Sequence, residues 1–186
     1  EDMQKMAAME ANTEPYLKTP VWKHAKHRII WLLVLMISAS ITGAIISKYE
    51  AAFAAVPLLV SFIPMIMDTG GNCGSQSSTL IIRGLAVDEL HFADTLSILW
   101  KELRVSLIVG LALAAVESAV IMVRYGDPAL AGVVSLSLMC TVACAKVTGG
   151  LLPIAAKRLG LDPALMAAPL ITTVVDTVAM FIYFTI

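Results

Sequence analysis

An all-helical integral membrane protein that crosses the bilayer five times is the fold class this sequence predicts, and three observations carry it. The 186 residues are 59% hydrophobic and only 15% charged, with a mean hydropathy of +0.84, which is too apolar for a soluble domain of this length. Five apolar stretches, Ile29–Ile46, Ala51–Ile82, Val105–Val123, Leu130–Leu152 and Ala164–Ile186, come close to or exceed the ~20 residues that span roughly 30 Å of hydrocarbon. The basic residues between them also fall mostly on one side once these five stretches are counted as crossings.

Before the first stretch come Lys5, Lys18, Lys23, Lys26 and Arg28. After the second come Arg83, Lys101 and Arg104, and after the fourth Lys157 and Arg158. Five crossings put all of these on one side and leave Lys48 and Arg124 on the other. The positive-inside rule then places the N-terminus in the cytosol of an inner membrane. Trp22, Trp31 and Trp100 fall near the cytosolic interface, and Tyr49, Tyr125 and Tyr183 near the outer one, as expected for aromatic anchors. Asp88–Arg104 mixes Leu90, Leu96, Leu99 and Trp100 with Asp94, Lys101, Glu102 and Arg104, and reads as an amphipathic helix lying on the cytosolic surface.

The first residues are polar and carry no secretory signal. The chain starts without a methionine and stops inside the apolar run Phe181–Ile186, so we expect a segment of a longer protein whose soluble regulatory part lies elsewhere. Residues 1–19 read as a cytosolic connecting helix and 20–186 as the membrane domain. A formal net charge of −1 argues against a nucleic-acid partner. Cys73, Cys140 and Cys144 have neither zinc-ribbon nor disulfide spacing and read as small packing residues; Cys140 and Cys144 share a helix face, with no histidine nearby to complete a soft-metal site. Ala39 with Gly43 and Gly110 with Ala114 have the spacing of close helix contacts.

The second stretch is too long for one straight crossing: as a single helix Ala51–Ile82 would measure about 48 Å. Pro57 and Pro64 remove backbone donors, and Asp68-Thr-Gly-Gly-Asn-Cys-Gly-Ser-Gln76 follows with three glycines. We expect the helix to break there, in a Gly/Asn loop buried in protein or lining water, with its freed carbonyls available to an ion.

The last stretch holds Thr172, Thr173, Asp176 and Tyr183 on roughly one helical face. Asp176 lies about 18 Å along that helix, where a charge costs at least ~2.5–3.5 kcal/mol and points to function. Lys146 and Glu117 are the other ionisable groups at membrane depth, so the alternative role for Asp176 is a buried salt bridge with Lys146; Lys146 with Glu117 is another such pairing. A lone carboxylate with hydroxyls and carbonyls suits Mg²⁺, which sheds water reluctantly and is held through one or two carboxylates. Two such carboxylates facing each other across a dimer axis would offset the cost of burying each.

Pro64-Met-Ile-Met-Asp-Thr-Gly-Gly-Asn-Cys-Gly-Ser-Gln76 with Arg83-Gly-Leu-Ala, and Gly160-Leu-Asp-Pro163 before Pro169-Leu-Ile-Thr-Thr-Val-Val-Asp176, resemble the two signatures of the MgtE magnesium channels over essentially all of 20–186. The resemblance implies a homodimer in a lipid bilayer, with an ion path on its axis lined by spans two and five. It implies metal contacts at Asp176, Asp68 and Gly71, with Gly70, Asn72, Thr172 and Thr173 lining the pore. The cargo it implies is Mg²⁺, with Mn²⁺, Co²⁺ or Ca²⁺ as surrogates, and the missing partners are cytosolic regulatory domains that residues 1–19 would join.

Two rivals use the same residues. Asp68-Thr69-Gly70 reproduces the tripeptide of aspartic proteases and Asp176 could complete a dyad, but the Gly-X-Gly-Asp pattern of membrane-embedded relatives is absent around Asp176, and no enzyme is expected. A Na⁺- or H⁺-coupled divalent-cation transporter would use broken helices and an intramembrane acid equally well. A plain membrane anchor leaves Asp176 unexplained.

Overall fold

The computed structural model describes residues 15–166 and 168–186. Residues 1–14, most of the expected connecting helix, lie outside them; of that segment's end, Tyr16–Lys18 forms a single 3-10 turn. Five long helices follow: α1 (Val21–Lys48), then, after the short α2 (Glu50–Ala55), α3 (Ile63–Ala86), α4 (Thr95–Tyr125), α5 (Pro128–Arg158) and α6 (Ala168–Thr185). Among the described residues there is no strand.

Local chemistry sets the ends. Val56 leaves the helical region (φ −134°, ψ 79°) before Pro57, whose ring disfavours helical backbone in the residue ahead of it, and this stops α2. Pro57–Phe62 then winds as a 3-10 segment into α3, whose first turn takes Pro64 where no donor is lost. Gly126 terminates α4 at φ +65°, a left-handed position that glycine occupies without strain. Asp127 caps α5 by accepting from the amides of Ala129 (2.9 Å) and Leu130 (3.0 Å), with Pro128 as the first helical residue. Lys157 Nζ donates to the Leu85 carbonyl at 2.9 Å, satisfying a terminal acceptor of α3 with a cation.

Two expectations are corrected here. The Gly/Asn loop is absent: α3 runs unbroken through Gly70, Gly71, Asn72 and Gly74, and the interruption of the long apolar stretch lies upstream, at Val56–Phe62. A glycine costs about 1 kcal/mol in a helix, whereas each unpaired backbone group in hydrocarbon costs several, so the helix persists and its glycines serve packing. The separate interfacial helix is absent too. Asp88, at φ +55°, turns the chain so that the Glu89 and Leu90 amides both reach the Gly84 carbonyl, and from Thr95 onward the residues assigned to the surface are the first turns of α4.

Contacts between helices give their directions. Gly70 faces Thr141, Gly74 faces Ala145 and Leu85 meets Lys157, so α3 and α5 run parallel. Gly70 meets Val175, and Gly71 and Gly74 meet Thr172 and Ile171, so α6 is antiparallel to α3. Ser135 Oγ donates to the Ala114 carbonyl at 3.1 Å, and Met139 packs on Gly110, making α4 and α5 antiparallel. Thr42 meets the Thr177 hydroxyl at 2.9 Å, and Tyr49 stacks on Phe184, making α1 parallel to α6. The five long helices therefore alternate up and down.

The core surrounds α3 in three layers: Ile63, Ile66, Ile121, Val134 and Met180; then Cys73, Leu138, Val142, Ile171 and Val175; then Ile81, Leu85, Ile98 and Ile154. In one layer Tyr183 donates its hydroxyl to the Leu59 carbonyl at 2.9 Å, tying α6 to the 3-10 segment. By length and composition α1, α4 and α5 are apolar enough to cross a membrane, and α6 is a shorter apolar helix.

Candidate functional site

Every glycine in the middle of α3 marks a helix contact. A Cβ on Gly70 would come within 2.7 Å of the Thr141 methyl, on Gly71 within 2.9 Å of the Thr172 methyl, and on Gly74 within 2.7 Å of Ile171. Bare backbone at these points draws α6 against α3, and the two helices leave between them a groove of about 440 Å³ lined by Ile63, Pro64, Met67, Asp68, Gly71, Asn72, Thr172 and Asp176.

The polar groups of this groove have complementary duties. Asn72 Nδ2 donates to Asp68 Oδ2 at 3.1 Å, one turn along α3, which orients the exposed carboxylate. Thr172 spends its proton on the Pro169 carbonyl of its own helix at 2.9 Å, so its oxygen lone pairs remain for another partner. Asp176 is half-buried on the opposite wall. No basic residue lines the groove, and two carboxylates facing one space focus a field that attracts cations.

The structure thus brings together Asp68, Gly71, Asn72, Thr172 and Asp176. It does not bring Gly70 or Thr173 to the groove. Gly70 is buried in the seam with α5 and α6, and Thr173 is buried, its hydroxyl donating to Pro169 at 2.7 Å. The carbonyls of Asp68–Gly71 belong to a continuous helix and are not freed, so the oxygen atoms offered here come from side chains. The pairing of Lys146 with Asp176 or Glu117 is not formed either: Lys146 Nζ reaches Ser77 Oγ at 3.5 Å, and Ser77 in turn donates to Glu102. Among the described residues no three His, Cys, Asp or Glu side chains gather as a metal cluster.

Sequence reasoning missed the continuation of the polar face. Asp68, Asn72, Gln76, Thr79 and Arg83 are all exposed along α3 while its other side is buried, and their spacing of three or four residues is the signal that finds them. It missed the burial of Glu102 as well.

Residues 63–186 match the MgtE family, described as a divalent cation transporter. The chain belongs to the MgtE family. Proteins named magnesium transporter MgtE are 34% identical to it over 186 residues in Thermus thermophilus, 33% over 184 in Bacillus subtilis and 30% over 164 in Enterococcus faecalis. These alignments take in 100%, 99% and 88% of this chain but 41%, 40% and 36% of the relatives. This MgtE chain therefore spans about two fifths of the length of the relatives it matches.

Proposed function

We propose that this chain is the membrane part of a divalent-cation pathway, that Mg²⁺ is its cargo, and that the groove between α3 and α6 is where the ion is held. The observation that carries the reading is the pair Asp68 and Asp176, which reach one groove from two antiparallel helices with no base among its lining residues. The three relatives, named as magnesium transporters, support that cargo.

Hard divalent cations take oxygen ligands, and Mg²⁺ keeps several of its waters while leaning on one or two carboxylates. Asp68, Asp176, Thr172 and Asn72 offer such oxygens at the edge of a space large enough for a hydrated ion. The exposed polar face of α3 supports a second copy of the chain opposite the first: polar groups at membrane depth face water or protein, not lipid, and a homodimer with α3 and α6 at its axis would enclose a wet path with four carboxylates. All five long helices would then cross the inner membrane with the N-terminus in the cytosol, as the basic residues suggest.

The test is flux and current from purified protein in liposomes. Mg²⁺ entry with discrete single-channel currents supports a channel. Entry only against a Na⁺ or proton gradient would make the chain a coupled carrier, and absence of both would reject the pathway.

A further inference from the structure

The groove leaves unused a deeply buried polar cluster. Lys146 of α5, Ser77 of α3 and Glu102 of α4 are 4%, 2% and 8% exposed. The Ser77 hydroxyl donates to Glu102 Oε2 at 2.5 Å, and Lys146 Nζ approaches Ser77 Oγ at 3.5 Å. The chemistry allows one polarity only. An ammonium has donors and no acceptor, a carboxylate has acceptors and no donor, and a hydroxyl between them accepts from one and donates to the other. The short Ser77–Glu102 contact lies in the range of a bond to an ionised acceptor. The Glu102 stem packs beside Gly150, where a Cβ would lie 3.5 Å from its Cγ, in ordinary contact.

Stability alone does not account for such a cluster, since well-packed apolar residues replace a buried ion pair with little loss. What an ion pair adds is direction. Ser77 lies nine residues from Asp68 and five from Asn72, which at 100° per residue puts it on the far side of α3 from both. On the seam between, α3 offers Gly70 and Gly74 to its neighbours, so at these two points it carries no side chain of its own to set its angle. A turn of about 20° would carry a side chain about 6 Å from the helix axis through roughly 2 Å, enough to take Asp68 out of line with Asp176.

We infer that Lys146, Ser77 and Glu102 form a positioning network that grips the back of α3 and so fixes the angle at which Asp68 and Asn72 are presented to the cation. The network touches no ion; it sets cation affinity from outside the site. This rests on the groove being the cation site, so the test reads helix orientation and ion binding separately.

Lys146→Met, Glu102→Gln and the double variant are compared with the parent in detergent by thermal unfolding and by Mg²⁺ calorimetry. Orientation is read in a background with Cys73, Cys140 and Cys144 changed to serine, from the rate at which a water-soluble thiol reagent modifies Gln76→Cys. Each single variant strands one buried charge and is expected to melt earlier. The double variant restores charge balance and the parent's melting temperature, yet binds Mg²⁺ about fivefold more weakly, within the range by which residues off a site modulate it, and shows an altered modification rate. Recovery of both affinity and modification rate in the double variant would overturn the inference and leave the cluster as mutual neutralisation. Should Asp176→Asn bind Mg²⁺ like the parent, the groove assignment fails instead, and the modification rate alone still decides whether the network orients α3.

Discussion

The carbonyl oxygen of Gly74 lies against Gly149, so that a Cβ on Gly149 would overlap the backbone of the neighbouring helix, with Gly74 Cα only 3.1 Å away. Two parallel helices, α3 and α5, meet here backbone to backbone, without any side chain to yield. Gly149→Ala should therefore force the helices apart and destabilise the bundle by about 1–3 kcal/mol, the usual cost of overpacking. Thermal unfolding in detergent checks this; Gly132→Ala, at a helical site with nothing within 4 Å, should melt no earlier than the parent, since alanine suits a helix better than glycine.

Gly71 tests the groove through steric reach. A Cβ there meets the Thr172 methyl at 2.9 Å and the Thr172 Cα at 3.7 Å, and Thr172 lines the groove. Gly71→Val should push this wall inward and abolish Mg²⁺ uptake while the protein still inserts in the membrane. Normal uptake by an inserted Gly71→Val protein would place the ion path elsewhere.

Asp127 accepts from two amides at the start of α5. Asp127→Ala leaves Pro128 to start the helix but removes both bonds, and should cost about 0.5–2 kcal/mol. The same unfolding assay should record a lower melting temperature with unchanged Mg²⁺ affinity, because the cap lies at the opposite end of α5 from Lys157 and lines no part of the groove.

How far the fold could be read from residues alone depended on which interactions decide each feature. The alternation of the long helices follows from apolar length and from where the bases sit, both local properties, and the antiparallel and parallel contacts of Gly71 with Thr172 and Gly74 with Ala145 agree with it. The position of the break was not legible, because proline and glycine are both local breakers. Only packing against α5 and α6 reveals that Gly70, Gly71 and Gly74 are contact points in a helix while Pro57 ends one. The residues alone singled out Asp176, because an intramembrane carboxylate is costly wherever it lies; its grouping with Asp68 came from the family resemblance. Glu102 was hidden by its neighbours: Lys101 and Arg104 suggest a surface helix, yet Ile98, Glu102, Ser106, Gly110 and Ala114 form an unbroken four-residue repeat that faces the core, and that repeat outweighs the local charge.

The two groove carboxylates should contribute unequally to cation binding. A carboxylate about 5 Å from a divalent ion, with ordered water between, interacts by about 1.7 kcal/mol at bulk-water screening and by several times more where protein displaces solvent. Replacing either acid by its amide preserves size and removes that charge, so each variant should weaken Mg²⁺ binding by at least about tenfold. Asp68 is exposed and already shares one oxygen with Asn72, whereas Asp176 is half-buried on the α6 wall. Screening is weaker at Asp176, and Asp176→Asn should be the more damaging change. Calorimetry on both variants at low and high salt separates these contributions: added salt should shrink the penalty of Asp68→Asn more than that of Asp176→Asn, because exposed charges are screened first. Parent-like Mg²⁺ binding by Asp176→Asn would remove that residue from the ion site and leave its burial at membrane depth without a cation to account for it.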